Sequence, residues 1–123
     1  MKNKILIKKI IEPYNKKIEI EGDKSLSIRW ALLASQAKGK STSTNLLKSE
    51  DVLSAINSLK KLGVKIHMHK NKCEIYGLGI NGYNYKKDII LDAGNSGTFA
   101  RLILGLLVHS RKKIKIIGDK SLS

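Results

Sequence analysis

The sequence predicts an α/β fold, in which short strands alternate with helices around one core. Two observations support this prediction. Short segments in which apolar and polar residues alternate, as in half-buried strands, are interleaved with longer segments whose apolar residues recur at helical spacing. Glycine or short polar residues bound most of these segments, and such residues end helices and form turns. The predicted order is β-β-α-β-α-β-β-β-α-β, and no linker or low-complexity segment divides it.

The first third of the chain contains two strands, a helix and a third strand. The two strands are predicted at residues 4–11 and 16–21, on either side of Pro13-Tyr14-Asn15. The hexapeptide GDKSLS then leads into the helix pattern IRWALLASQAK, which Gly39 is expected to end as a C-cap. A short Ser/Thr-rich segment follows and is the third strand of the order above.

The second helix has the clearest signals. Its sequence is SEDVLSAINSLKKLG, in which Ser49 is a suitable N-cap, and Glu50 and Asp51 suit the positive end of the helix dipole. Gly63 is expected to close this helix. One apolar stripe along it predicts the face that packs on the core, and it consists of Val52, Ala55, Ile56, Leu59 and Leu62.

The rest of the chain reads as a strand pair followed by a strand–helix–strand unit. VKIHMHK and KCEIYG predict two strands that turn at Lys70-Asn71. The strand KKDIILD runs into the glycine-rich turn DAGNSGT, the apolar helix TFARLILGLLVHS follows, and RKKIKIIG is the final strand. Trp30 and Phe99 fall within helical stripes and are predicted core residues.

The charge composition indicates small anionic ligands. The 123 residues include 24 Lys and Arg against 10 Asp and Glu, a net charge of +14, so polyanions are the first partners to consider. The lysines are spread over the whole chain, and aromatic residues are not interleaved with them as a single-strand-binding surface requires. We therefore expect no nucleic-acid partner, but a lysine-rich surface in which a few cations bind small anions.

Other features of the sequence narrow the class of protein. No apolar run approaches the roughly 20 residues of a membrane span, and the first residues do not have the pattern of a signal peptide. Cys73 is the single cysteine, which suits a reducing compartment, so we expect a cytoplasmic protein without a membrane partner. His67 and His69 lack the further ligands that a metal site needs, and a solvated strand is the preferred interpretation.

A repeat organises the chain. KKIEIEGDKSLS and its copy at the end of the chain, KKIKIIGDKSLS, are identical at ten of twelve positions. A looser relative, KKDIILDAGNSGTFAR, lies between them. Gly22 is followed seven residues later by Arg29, and Gly94 is followed seven residues later by Arg101. Both segments predict a strand, a glycine, small polar residues and the start of a helix.

The hexapeptide GDKSLS has the composition of an anion-binding helix start. The first turn of a helix presents free backbone N–H groups and the positive end of the dipole, to which Lys24 adds an ammonium group and Ser25 a hydroxyl. Arg29 lies on the same helix face as Ser25 and can grip a phosphate with two parallel bonds. These residues form a candidate phosphate clamp. The alternative is that Ser25 only caps the helix and that the cations are solvated.

The turn DAGNSGT is the second candidate anion site. Gly94 and Gly97 permit close approach of a ligand to the backbone, and Asn95, Ser96 and Thr98 supply short polar groups. The alternative is an ordinary polar turn in which Thr98 is the N-cap of the next helix.

These motifs carry a resemblance to a known family. The pattern Lys-Ser-x-Ser-x-Arg from Lys24 to Arg29, and Asn-x-Gly-Thr-x-x-Arg from Asn95 to Arg101, resemble the 5-enolpyruvylshikimate-3-phosphate synthases in order and approximate spacing. These are enolpyruvyl transferases of the shikimate pathway, and the chain is similar to their amino-terminal part over residues 18–123. Related transferases that act on UDP-N-acetylglucosamine typically have Lys-Asn in the first motif, so Lys24-Ser25 favours the shikimate enzymes.

The resemblance implies a reaction and a set of site residues. The enolpyruvyl group of phosphoenolpyruvate would be transferred to the 5-hydroxyl of shikimate 3-phosphate with release of phosphate, and no metal or organic cofactor is implied. Lys24 would be catalytic by positioning both substrates, while Ser25 and Arg29 would bind shikimate 3-phosphate. The phosphoenolpyruvate site would consist of Lys24, Asn95, Gly97, Thr98 and Arg101.

The resemblance also implies the fold and extent of the protein. Family members have two lobes built from βαβαββ units, with the substrates in the cleft between the lobes, and the full-length form is expected to be a monomer. Residues 1–20 would belong with the second lobe, and residues 21–123 would be part of the first, cut at the start of its second unit. We therefore expect a carboxy-terminal truncation that is inactive alone, because the groups that move protons would lie outside it.

Two other functions remain open at this point. A standalone basic module could use both turns to bind generic polyanions or nucleic acid, and its affinity would then fall steeply with salt concentration. A different enolpyruvyl transferase would be distinguished by substrate competition.

Overall fold

The computed structural model describes residues 22–122 and, separately from them, Leu6. Apart from Leu6, the strands predicted at 4–11 and 16–21 lie outside the described residues. Residues 22–122 confirm the predicted α/β fold and contain three helices and five strands in the predicted order. These are α1 (Lys24–Gln36), β1 (Lys38–Thr44), α2 (Glu50–Lys61), β2 (Lys65–Met68), β3 (Lys72–Leu78), β4 (Ile89–Asp92), α3 (Gly97–Leu107) and β5 (Ile114–Ile117). Within residues 22–122, no helix has the length and apolar character to cross a membrane.

The first three strands form an antiparallel sheet in the order β1-β3-β2. β2 and β3 are the predicted hairpin, and β1 pairs with the other edge of β3, from Lys38 opposite Leu78 to Thr44 opposite Lys72. Ile75 of β3 is fully buried, because α1 packs against this strand. The sheet therefore supplies one wall of the core.

The last two strands, β4 and β5, are parallel, with Ile89 opposite Ile114. α3 connects them, since parallel neighbours need a crossover that carries the chain back to the same end of the sheet. Both strands consequently end at the same edge, where the Asp119 N–H donates to the Gly94 carbonyl over 2.8 Å. The parallel pairing thus brings the second copy of GDKSLS beside the glycine-rich turn.

The core lies among the three helices and the two sheets. The predicted stripe of α2 is buried, since none of its members is more than 1% exposed: Val52, Ala55, Ile56, Leu59 and Leu62. Complete burial of a Leu or Ile side chain stabilises a fold by about 1.5–3 kcal/mol. Phe99 is fully buried, as predicted, whereas Trp30 is half-buried and packs against the core from outside. The apolar stripe of α2 and the burial of Phe99 were therefore predicted correctly, whereas the full burial of Trp30 was not.

The start of α1 differs from the prediction. Asp23 is the N-cap, because its Oδ1 accepts a hydrogen bond from the Leu26 N–H over 2.7 Å. The aspartate ranks with serine among the best capping residues, and it precedes Ser25 along the chain. The helix therefore begins within the hexapeptide GDKSLS, at Lys24, and not after it.

The end of α1 also differs, and the prediction of Gly39 as its C-cap is wrong. The helix ends at Gln36, the cap residue Ala37 is already extended, and Gly39 lies within β1 with φ +91°. Gly77 of β3 shows the reason, because a Cβ atom there would overlap the carbonyl oxygens at the end of α1. The helix terminus rests directly on the β3 backbone, and the chain turns at once into the adjoining strand.

Candidate anion-binding site

The amino-terminal ends of all three helices within residues 22–122 meet at one place. Lys24 is the first residue of α1, Asp51 lies in the first turn of α2, and Asn95 immediately precedes Ser96, the N-cap of α3. The Lys24 Nζ lies 2.8 Å from Oδ2 of Asp51, and the Asn95 amide bonds the same carboxylate. Because a helix start presents free N–H groups and a positive dipole end, this convergence favours anions.

The Asp51 carboxylate is the centre of this cluster. Its side chain is 6% exposed, whereas that of Lys24 is 53% exposed. The Asn95 amide is assigned with its nitrogen toward Asp51, since the opposite orientation would place two acceptors against each other. In this orientation the nitrogen donates to Oδ1 and, over 3.2 Å, to Oδ2. The buried carboxylate thereby joins one residue from each of the two predicted motifs.

The turn that carries Asn95 is built by its neighbours. The Asp92 carboxylate accepts a hydrogen bond from the Gly94 N–H over 2.8 Å, and Gly94 has φ +55°. A Cβ atom on Gly94 would lie 3.0 Å from the Ser54 hydroxyl oxygen, so the turn packs closely on α2. Glycine fits here because it tolerates both the left-handed backbone and the short distance.

The N-cap of α3 is not Thr98, the residue that the sequence suggested as an alternative. The Ser96 hydroxyl oxygen accepts a hydrogen bond from the Phe99 N–H over 3.1 Å, so Ser96, and not Thr98, is the N-cap. Ser96 is buried, which protects this bond from water. The proposal that Thr98 caps the helix is wrong, because the cap residue lies two positions earlier.

The start of α1 is held against the chain that leads into α2. A Cβ atom on Gly22 would lie 2.5 Å from the Asn45 carbonyl oxygen and 2.7 Å from the Leu47 nitrogen. The Leu47 N–H donates to the hydroxyl of Ser27, a buried residue of α1, over 3.2 Å. Since Asp23 caps this helix, Ser25 is not needed as a cap, and the alternative that its hydroxyl serves only that purpose is not supported.

Arg29 lies one helical turn beyond Ser25. It is exposed and forms no ion pair with any residue of the described part, 22–122. Its side chain lines an apolar groove between α1 and α3, together with Leu32, Leu33, Leu102 and Leu106. The guanidinium group is therefore available to a ligand.

The remaining predicted residues lie at the start of α3. Gly97 is its first residue, Thr98 follows, and Arg101 is exposed one turn further. No ion pair or hydrogen bond in residues 22–122 ties the side chain of Thr98 or Arg101 to Asp51. The structure thus joins Lys24 to Asn95, and leaves the other predicted residues around them on the same two helices.

Asp51 is the residue that the sequence interpretation missed. The sequence alone indicates only a favourable interaction of Asp51 with the helix dipole. One signal could have identified it, because Asp51 lies one turn before Ala55 and so belongs to the buried face of α2. A carboxylate on an apolar face needs a partner, since burying an unpaired charge is costly.

The second copy of GDKSLS packs beside the site. Asp119 Oδ1 accepts hydrogen bonds from the backbone N–H of Ser121 over 2.8 Å and from its hydroxyl over 2.5 Å. The hydroxyl bond is the main reason why the pKa of Asp119 is lowered. The two copies share this use of the aspartate to accept a bond from a following N–H, although residues 120–122 form a turn and not a helix.

Helix starts, a lysine and a glycine-rich turn converge in this α/β fold, an arrangement typical of sites for small phosphorylated or carboxylated ligands. The comparison with protein families identifies the family to which the chain belongs. The family model described as EPSP synthase (3-phosphoshikimate 1-carboxyvinyltransferase) matches residues 8–123. The chain belongs to the EPSP synthase family.

Individual relatives agree with this assignment. The chain is 44% identical over 111 residues to the 3-phosphoshikimate 1-carboxyvinyltransferase of Streptococcus pyogenes serotype M2, covering 90% of this chain and 26% of the relative. It is 44% identical over 108 residues to that of Bacillus cytotoxicus, covering 88% and 25%. Two EPSP synthase structures from Acinetobacter baumannii match with TM-scores of 0.77 and 0.73, at 34% and 35% identity. Each match covers 88% of this chain and 24% of the solved one, so the chain spans about a quarter of its relatives' length.

Proposed function

We propose that this chain is part of an EPSP synthase, which transfers the enolpyruvyl group of phosphoenolpyruvate to the 5-hydroxyl of shikimate 3-phosphate. One observation carries the proposal. Lys24 and Asn95, from the two sequence motifs, meet on one buried carboxylate where three helices begin. Both substrates are small polyanions, and this place offers them an ammonium group and free N–H groups.

The reaction requires positive charge more than a nucleophile from the protein. The 5-hydroxyl oxygen loses its proton and bonds to C2 of phosphoenolpyruvate, while the methylene carbon takes up a proton. The bond from C2 to the phosphate oxygen then breaks, phosphate leaves with the bonding electrons, and the methyl carbon releases a proton. The two substrates are polyanions that repel each other, and they must stay close during the whole reaction. The role proposed for Lys24 is therefore to lie between them and stabilise both.

The other residues divide between the two substrates. Ser25 and Arg29 are proposed to bind shikimate 3-phosphate, and the exposed guanidinium without an ion pair in residues 22–122 supports this role. Asn95 and Gly97 are proposed to line the phosphoenolpyruvate site, where the first N–H groups of α3 have no partner within the helix.

Two further residues complete the phosphoenolpyruvate side. Thr98 and Arg101 lie in the first turns of α3, directly after the glycine-rich turn. Both are proposed to shape that turn, and the guanidinium of Arg101 also adds positive potential at its edge.

A chimeric enzyme tests the proposal. Residues 1–123 would replace the matching segment of the Streptococcus pyogenes relative, and phosphate release would be measured with both substrates present. We expect release that depends on both substrates and that Lys24→Ala abolishes. Lys38→Ala is the matched control, since it removes an exposed lysine beyond the other end of α1.

A standalone polyanion-binding module is the competing function. It is disfavoured, because the chain belongs to an enzyme family. A chimera that folds, as judged by circular dichroism, but releases no phosphate would overturn the proposal. Binding of the 123-residue chain to DNA with a steep salt dependence would then support the module.

A further inference from the structure

We propose that Asp51 is a positioning residue that fixes the Lys24 ammonium group and the Asn95 amide relative to each other before the substrates bind. This inference rests on the proposed function and adds to it a residue outside both sequence motifs. Asp51 belongs to α2, and the two side chains that it holds come from α1 and from the turn before α3.

The burial of the ion pair is one-sided. The Asp51 carboxylate is almost completely buried, whereas about half of the Lys24 side chain is exposed. A half-exposed ammonium group is well solvated and needs no partner, but a buried carboxylate does. Replacing a buried ion pair by apolar residues is often neutral or stabilising, so such a pair is weak evidence of a stabilising role. The arrangement is therefore better explained by where it places the lysine than by a gain in stability.

α2 holds the carboxylate rigidly. Asp51 is followed by Val52 and Ala55, which are fully buried, and Ser54 lies against Gly94 of the neighbouring turn. Lysine, in contrast, has a flexible four-carbon stem. The carboxylate consequently determines the position of the ammonium group, and the same carboxylate orients the Asn95 amide.

The number of donors on the lysine fits this role. An ammonium group has three N–H donors, and the bond to Asp51 uses one of them. Two donors remain for two anionic substrates. Holding these donors in place in advance removes an ordering cost that the reaction of the bound substrates would otherwise include.

Loss of the Asp51 carboxylate should also have different effects on the binding of the anionic substrates and on the rate at which they react. Its negative charge beside Lys24 weakens the attraction of the site for anions, so its loss should not weaken their binding. Its loss should, however, let the ammonium group move, which lowers the rate at which bound substrates react. A residue that only stabilised the fold would not separate the two quantities in this way.

Steady-state kinetics of the chimeric enzyme test the proposal. Asp51→Asn keeps the shape of the side chain and removes its charge. We expect kcat to fall by about 10-fold or more, while KM for phosphoenolpyruvate stays the same or decreases. Glu50→Gln is the matched control, because it makes the same change at the exposed preceding residue and should leave both constants unchanged.

A second variant covers the case in which Asp51→Asn does not fold. Asp51→Glu retains the charge but moves the carboxylate by one methylene group, and we expect a loss of kcat of about 5-fold or more. An unchanged kcat in the folded variant overturns the proposal, and so does a rise in KM at constant kcat. Inactivity of the unsubstituted chimera would count against the proposed function and not against the role of Asp51.

Discussion

Replacement of Arg29 with alanine should weaken the binding of shikimate 3-phosphate while leaving the fold intact. Arg29 is exposed on α1, one turn after Ser25, and it has no ion pair within residues 22–122. Truncation of the Arg29 side chain therefore breaks no ion pair within residues 22–122. The whole effect of the substitution should appear in the affinity for the ligand and not in stability.

The magnitude follows from the kind of bond that is lost. A hydrogen bond to a charged group contributes about 1.5–3 kcal/mol, because the ligand's phosphate is then left with fewer donors. This range corresponds to a rise in Kd of about 10- to 150-fold. Arg29→Lys should recover part of the affinity, since lysine keeps the charge but cannot form two parallel bonds.

Isothermal titration calorimetry of the chimeric enzyme with shikimate 3-phosphate measures this effect. Arg111→Ala is the matched control, because Arg111 is an exposed arginine beyond the carboxy-terminal end of α3. An unchanged Kd in the Arg29→Ala variant would remove Arg29 from the site. An equal loss in the Arg111→Ala variant would show that the general positive charge, and not the clamp, attracts the ligand.

Three further substitutions test the geometry of the fold. Gly94→Ala should destabilise the chain by about 1 kcal/mol or more, because its backbone is left-handed and its Cβ would approach Ser54, and it should also weaken phosphoenolpyruvate binding in calorimetry. Gly39 also has a left-handed backbone, but a Cβ atom there would have nothing within 4 Å. Gly39→Ala should therefore destabilise the chain without weakening phosphoenolpyruvate binding. Gly105→Ala should stabilise the chain by about 0.5–1 kcal/mol in urea unfolding, since it lies within α3 with open space around it. Burial raises the pKa of the Cys73 thiol. The thiol of the unfolded chain therefore ionises first, and the free energy of unfolding should decrease as the pH rises above about 8.5. The Cys73→Ala variant should lack this decrease.

The elements that could be predicted from the sequence are those with local signals. In α2, the N-cap position at Ser49, the acidic first turn and the glycine after the last turn all lie within one segment. The β2–β3 hairpin likewise follows from alternation on both sides of a short turn. Each of these features depends on neighbours a few residues away, so the tertiary structure had little to add.

The end of α1 depended on a contact that is distant in sequence, whereas its start depended on a local cap. Its start was misjudged because Asp23 and Ser25 are both good capping residues, and the sequence does not choose between them. Its end was misjudged because Gly39 is a typical C-cap, whereas the helix ends where it meets Gly77, far along the chain. Packing against β3 therefore overrode the local signal.

The sequence by itself determined which residues could bind anions. Lysine, serine, asparagine and glycine at helix starts have that capacity wherever they lie, because it follows from their own donors and from the helix dipole. Only the tertiary structure decided that Lys24 and Asn95 share one partner. That partner, Asp51, has the ordinary sequence context of a helix start. The packing of α2 between the two motifs turns its carboxylate inward, where it contacts the side chains of both Lys24 and Asn95.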